Sequence, residues 1–353
     1  MDFTPAESQQ AVAALAAEVL GSADLLKGPD PWKELARAGL LDVAALGVLD
    51  LAVLLTEIGR RAPSLKAHAT LMTGALPLLR WGSDRLKQDL LPGVASGELL
   101  LTAALREPSN PQPVPPATTI TNGTLTGTKL GVPYADQAAL ILVPARLSAP
   151  PVIMGSLSQI ATKTARDHGV AFLSPRAAGV EVVRTPSSSA QPEYTLRLDQ
   201  APIQGMLGGP DCVRDLYQLA IAGACALADG AVAGALALTR DHVATREQFG
   251  RPLAAFQAVS QQIAEVYIAS RTMHLATLAA CWRLDGGLDA RADLGVAGYW
   301  CAEQAPRSVR ICHHLHGGLG MDATYPLHRF SSLVADLVRY LGGAEYRLTC
   351  IST

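Results

Sequence analysis

The chain has no basic block, no Cys-x-x-Cys pair and no apolar run of bilayer length, and each absence removes a class of function. Its 29 Lys and Arg stand against 31 Asp and Glu, a formal net charge of −2 over 353 residues, so the electrostatic footprint expected of a nucleic-acid-binding protein is missing. Six cysteines, Cys212, Cys225, Cys281, Cys301, Cys312 and Cys350, are scattered along the chain. That usage fits reduced thiols in the cytoplasm better than a disulfide framework. The opening Met-Asp-Phe-Thr-Pro lacks the basic and apolar regions of a secretion signal, and none is expected. The most apolar run, 219–228, stops at Asp229. A bilayer needs about 20 apolar residues, so this run reads as a buried core helix and no membrane partner is expected. Charged residues make up 17% against 49% hydrophobic, the balance of a compact chain with about two or three domains.

What is present divides the chain by period. Thr4-Pro5-Ala6-Glu7 reads as a helix start, with Thr4 as N-cap, Pro5 at the first helical position and Glu7 closing a capping box. Val12, Leu15, Ala16 and Val19 continue it at helical spacing to Gly21. Asp30-Pro31 starts a second helix, residues 49–59 form a third, and Ser83-Asp84 caps a fourth that runs to Ala95. Residues 1–97 are thus expected to be an all-helical domain. From Leu99 the pattern changes to strands, at 99–105, 118–129, 140–143, 170–173, 180–184 and 194–198, with Asn122-Gly123 as a hairpin turn. Residues 98–204 read as a middle β domain, a barrel-like sandwich. Helical patterning returns over 205–353 in segments 211–244, 255–284, 294–316 and 327–340, which suit a four-helix bundle. Within it, Gly230-x-x-x-Gly234 allows two backbones to approach closely. The fold class is α+β, mostly α.

Chemistry concentrates in two stretches. Arg246-Glu247-Gln248-Phe249-Gly250-Arg251-Pro252, with Phe256-Gln257 behind it, sits at the corner between the first two bundle helices. The Arg246 fork of donors fits phosphate oxygens, Phe249 offers a flat face, and Gln257 can donate and accept. Such a corner can grip a nucleotide-like cofactor. On local chemistry alone it is equally an αα-hairpin turn with a solvated arginine. The second stretch, His314-Leu315-His316-Gly317-Gly318-Leu319-Gly320, puts glycines after a helix. There the backbone N–H groups can curl towards a pyrophosphate, or the glycines can serve as a simple cap. Cys312, His313, His314, His316 and Asp322 are not spaced as a zinc site, because successive helical residues point in different directions. Glu-x-x-His pairs for a di-metal bundle are lacking, so no metal is expected.

Taken together, Arg-x-x-Phe-Gly with its following Gln, and the Gly-Gly-x-Gly stretch, resemble the flavin-binding motifs of the acyl-CoA dehydrogenases. The helical, β, helical-bundle order is also that family's fold. The resemblance implies FAD as cofactor. It implies that Arg246, Gln248, Phe249, Leu253, Phe256 and Gln257, with His314, Gly317 and Gly318, touch the ADP half of an FAD held by a neighbouring subunit. The family desaturates acyl-CoA thioesters: a carboxylate removes the α-proton while the β-hydrogen leaves as hydride to the flavin. The family's two positions for that carboxylate fall here on Leu341 and Tyr217, and Glu345 lies four residues beyond the first. The family loop Thr/Ser-Glu-Pro-x-x-Gly-Ser-Asp is here Arg106-Glu107-Pro108-Ser109-Asn110-Pro111, and its Trp-Ile-Thr is Gly131-Val132-Pro133. A glycine cannot stack on a flavin, and Pro133 has no N–H to donate.

A chain that keeps the neighbour's half of the site and lacks the base resembles the short subunit of actinobacterial two-gene steroid acyl-CoA dehydrogenases, above all the one acting on the cholesterol side chain. This implies a catalytic α subunit as partner in an α2β2 heterotetramer, a steroid acyl-CoA substrate and no catalytic residue of its own. Two alternatives stay open: a self-sufficient homo-oligomer using Glu345 or Tyr217 as an unusual base, and a purely structural partner subunit.

Overall fold

The computed structural model describes residues 4–22, 30–61, 66–108, 110–148 and 168–352. Met1 to Phe3 and Ser109, on which two of the readings above touch, lie outside the described residues. In chain order come helices α1 (Glu7–Ser22), α2 (Pro31–Arg37) and α3 (Val48–Arg61), a π-helix (His68–Ala75), α4 (Leu76–Trp81) and α5 (Asp84–Ala95). Strands β1 (Leu101–Ala103), β2 (Thr119–Thr121), β3 (Thr124–Pro133), β4 (Leu140–Leu147), β5 (His168–Leu173), β6 (Val180–Thr185), β7 (Glu193–Pro202) and β8 (Gly205–Gly208) follow. The long helix α6 (Pro210–Thr245) leads to the short strands β9 (Glu247–Gln248) and β10 (Arg251–Pro252). Helices α7 (Gln257–Asp285), α8 (Arg291–His316), α9 (Leu327–Leu341) and α10 (Ala344–Ser352) complete the chain. By contact the chain separates into two compact units, one of Met1–Leu40, Leu46–Leu65 and Ile221–Thr353, the other of Leu41–Ala45 and Lys66–Ala220.

In the first unit, α1 begins at Glu7 rather than Pro5. The reason is local: Gln9 Oε1 accepts from the Ala6 N–H at 2.8 Å, so the side chain reaching back to the cap is Gln9 and not Glu7. At α2 the expected start holds, with the Asp30 carboxylate accepting from the Trp32 N–H and Pro31 leading the helix. Helices α3 and α6 cross with their backbones in contact. A Cβ on Gly230 would lie 2.0 Å from the Thr56 carbonyl oxygen, and one on Gly234 would lie 2.2 Å from that of Arg60. The close approach read from Gly230-x-x-x-Gly234 is therefore made, and α3 is the partner. Helix α6 is long and apolar enough to span a bilayer by composition, yet 89% of its most apolar 18-residue window is buried in protein. It is a core helix. Helix α10, which the sequence reading omits, starts directly after Gly342 and Gly343, both at positive φ.

The second unit is built on one mixed eight-stranded sheet, ordered β6-β7-β3-β2-β4-β5-β8, with β1 running parallel to β4. Asn122 and Gly123 (φ 49° and 78°) make the β2–β3 turn, as expected from an Asn-Gly pair. Strand β3 bulges between Lys129 and Val132, where Gly131 takes φ 60°. Leu125, Ile141, Val143, Leu173, Leu196 and Leu198 fill the sheet's core. Three elements escape the sequence reading, the strand β8, helix α4 and the π-helix, in which the Leu76 N–H reaches back to the Leu71 carbonyl. Strand β1 lies against that π-helix so closely that a Cβ on Gly74 would meet Leu101 Cβ at 2.4 Å.

Candidate functional site

Helix α6 hands the chain to the site. The Arg246 N–H still donates to the His242 carbonyl at 2.9 Å, and the Arg246 carbonyl accepts from the Leu253 N–H at 2.8 Å. Between these two residues lies a minimal hairpin pairing Gln248 with Arg251 and Glu247 with Pro252. Its loop, Phe249-Gly250, has φ of 55° and 79°, the left-handed pair that a tight two-residue turn demands. Phe249 is consequently thrust outwards and is 92% exposed. Behind it the Arg251 guanidinium sits 4.1 Å from the Phe256 ring centroid, and Phe249 meets that ring edge-on at 6.2 Å. Arg251 is thus occupied on an aromatic face. Arg246 is exposed and forms no ion pair among the described residues.

The second motif arrives from α8. That helix ends at His316, and Gly317 turns the chain with φ 56° and ψ −134°. His316 is buried. Its Nδ1–H donates to the Cys312 carbonyl at 2.8 Å, its Nε2 accepts from the Tyr325 hydroxyl at 3.0 Å, and its ring stacks on His242 at 4.4 Å. Burial pulls His316 below the ordinary imidazole range, its bond to Cys312 opposes this, and the nearby His242 and His313 lower it further. Burial and the Arg246 charge do the same to His242. Two stacked neutral imidazoles therefore floor the site.

These pieces meet in a groove of about 930 Å³ lined by Arg246, Leu253, His314, Gly317 and Gly318, with His242 beside them. A Cβ on Gly317 or Gly318 would meet nothing within 4 Å, so the backbone there faces open space. The other four motif residues do not line it. The Gln248 side chain donates to the neighbouring Glu247 carbonyl at 2.8 Å, Gln257 is exposed at the start of α7, and Phe249 and Phe256 pack on each other. An unpaired guanidinium, bare glycine backbone and a wall of imidazole and aliphatic side chains suit a ligand carrying both phosphate and a flat ring. The residues present therefore fit a dinucleotide such as FAD. His242 and Gln262 also line the groove and were missed. Their signal was helical spacing, since His242 lies one turn before Arg246.

At the positions where the resemblance puts a base, Leu341 is a fully buried apolar residue whose carbonyl accepts from Arg347 Nε at 2.5 Å. The Tyr217 hydroxyl donates towards the Pro113 and Leu105 carbonyls at 3.2 and 3.4 Å. Glu345 is exposed on α10. A carboxylate that the sequence does assign to a loop motif, Glu107, is instead locked in the sheet. It accepts from Lys129 Nζ at 2.7 Å, from the Thr118 N–H and hydroxyl at 2.9 and 2.6 Å, and from the Ala117 N–H at 2.7 Å. Burial alone would raise the Glu107 carboxyl, but the Lys129 charge and these bonds outweigh it and hold the carboxyl below its ordinary value. The cluster weighed for zinc is otherwise engaged, with His313 bonded to Ser331 and His316 to Cys312 and Tyr325.

Known proteins are similar in sequence and in fold. Residues 219–347 match the acyl-CoA dehydrogenase C-terminal domain and residues 8–98 the N-terminal domain. Acyl-CoA dehydrogenase FadE28 of Mycobacterium tuberculosis is 44% identical, over 99% of this chain and 97% of the relative. Among solved structures, the Tcur3481-Tcur3483 steroid ACAD (a G363A variant) superposes with a TM-score of 0.85 at 30% identity, covering 98% of this chain and 97% of the other. The ChsE4-ChsE5 complex from Mycobacterium tuberculosis gives 0.88 at 27% identity, covering 100% and 98%.

Proposed function

This chain belongs to the acyl-CoA dehydrogenase family, and from that premise we propose that it is the non-catalytic subunit of a heteromeric enzyme of this kind. FAD is the family's cofactor and supplies the hydride acceptor when bound. In the proposed assembly, this chain's groove grips the ADP end of an FAD whose flavin ring lies in a catalytic partner chain. Arg246 neutralises phosphate charge, Gly317 and Gly318 let the pyrophosphate approach the backbone, and the stacked His242 and His316 hold the wall. The hairpin carries Phe249 and Gln248 outwards, and the exposed Gln257 starts α7 beside it, in position to meet the partner's share of the cofactor. Proton abstraction falls to the partner.

The observation that carries this reading is an asymmetry. A groove with an unpaired guanidinium is kept, while the base positions hold a buried Leu341 and a carbonyl-bound Tyr217. General-base work on a weakly acidic α-proton needs a desolvated carboxylate, and Glu345 is exposed to solvent. The two-protein ChsE4-ChsE5 relative supports a partner chain, and the Tcur3481-Tcur3483 relative supports a steroid substrate. On this reading the substrate is a steroid side-chain CoA thioester of cholesterol catabolism and the assembly an α2β2 heterotetramer.

Arg246→Ala tests it. Loss of a charge-assisted bond to phosphate should weaken FAD binding in the co-purified complex by about 1.5–3 kcal/mol, tenfold or more. Unchanged FAD affinity would assign the chain a purely structural role.

A further inference from the structure

The helical unit contains a second cavity, of about 390 Å³, set among α1, α3 and α7, and none of the groove residues lines it. Its walls are mostly apolar, with Ala13, Leu49, Val53, Leu278 and the Trp282 ring. Its carboxylate is already compensated, because Glu57 pairs with Arg60 at 3.2 Å and Arg61 at 3.3 Å. A histidine stands among its polar groups. His274 lines the cavity, and its Nδ1 lies 2.8 Å from Oδ2 of Asp229, a residue of α6 that is 2% exposed. The carboxylate accepts, so Nδ1 carries a proton, and Nε2 is the other polar atom of the ring. That nitrogen has no hydrogen-bond partner among the described residues.

A buried carboxylate is costly, and an ion pair of this kind is a poor stabilising device compared with apolar packing. What the pair does achieve is to fix the orientation of an imidazole at a cavity wall. The cavity volume also falls in the range of about 300–1,000 Å³ found for small-molecule sites. The geometry points to a ligand site here for a neutral molecule with an apolar, ring-sized body and one hydroxyl group, which hydrogen-bonds to His274 Nε2. An anion would face Glu57, and a cation would face Arg60. Each of those charges already has its partner, so a charged ligand finds no unpaired counter-charge.

The test is calorimetric titration of the purified full chain with three probes. These are 1-naphthol, 1-methoxynaphthalene, which lacks the donor, and 1-naphthoate, which adds charge. One saturable site per chain is expected for 1-naphthol, with the other two at least about tenfold weaker. His274→Ala should weaken 1-naphthol about tenfold, His274→Gln, which keeps an acceptor, should restore part of the loss, and Leu278→Trp should abolish binding by filling the cavity. Val53→Trp replaces the last variant if circular dichroism finds it unfolded. The proposal is overturned by absence of saturable binding or by equal binding of the methoxy compound. It is also overturned by an affinity that neither His274→Ala nor the filling variant changes. Lower thermal stability of His274→Ala with unaltered binding would assign the dyad to helix packing and overturn it as well.

Discussion

Two arginines five positions apart, one just before the hairpin and one within it, behave differently because of what each faces. Arg251 spends its guanidinium on the Phe256 ring, whereas Arg246 forms no ion pair among the described residues and lines the groove. Type and spacing in a sequence do not separate them; the hairpin register does. His68 makes a similar point about burial. It sits in the π-helix, where its Nε2–H donates to the Ala220 carbonyl at 3.0 Å. Burial pulls its pKa down to about 4 from 6.5, against the smaller raising effect of that bond. The unfolded chain therefore takes up this proton first as pH falls. The stability His68 supplies is complete above about 6.5 and is lost as pH drops towards 4. Between pH 7 and pH 5 the loss should be about 2 kcal/mol. Urea unfolding at the two pH values measures it, and His68→Gln should remove most of the difference.

At the scale of elements, the α3–α6 crossing is set by glycine. Since a Cβ on Gly230 would lie 2.0 Å from the Thr56 oxygen, Gly230→Ala must push two helices apart. It should destabilise the chain by about 1–3 kcal/mol, read as a lowered Tm. Gly209→Ala, where a Cβ meets nothing within 4 Å, should stay within about 0.5 kcal/mol of wild type. Elements with a contrast between faces were legible from sequence: residues 327–340 read as a helix and α9 runs Leu327–Leu341. The π-helix was not, because all eight of its residues are buried and a segment apolar all round gives no periodic stripe. Strand β8 is four residues long with glycine at both ends, too short for alternation to register. The groove was half legible. Arg246, Leu253, His314, Gly317 and Gly318 lie within two contiguous motifs, and the structure brings them together. The stack of His242 on His316 and the salt bridge of Lys129 to Glu107 were not legible, since each joins segments that only tertiary structure makes neighbours.

For the whole molecule, what matters is which parts of a flavoenzyme one polypeptide retains. The family's fold is present over nearly its full length, with 44% identity to FadE28 across 99% of the chain. Retention of the fold alone does not make an independent enzyme, because catalysis needs a base and a seated flavin ring as well as a grip on the nucleotide. The account divides those tasks between two chains, so the proportion of cofactor to protein tests it most directly. Co-expression with an adjacent acyl-CoA dehydrogenase gene, followed by flavin absorbance and subunit quantification, gives that proportion. The chain produced alone should be colourless and inactive, and the active complex should hold one FAD for each pair of unlike subunits. A yellow, active enzyme from this chain alone, with one flavin per polypeptide, would contradict it.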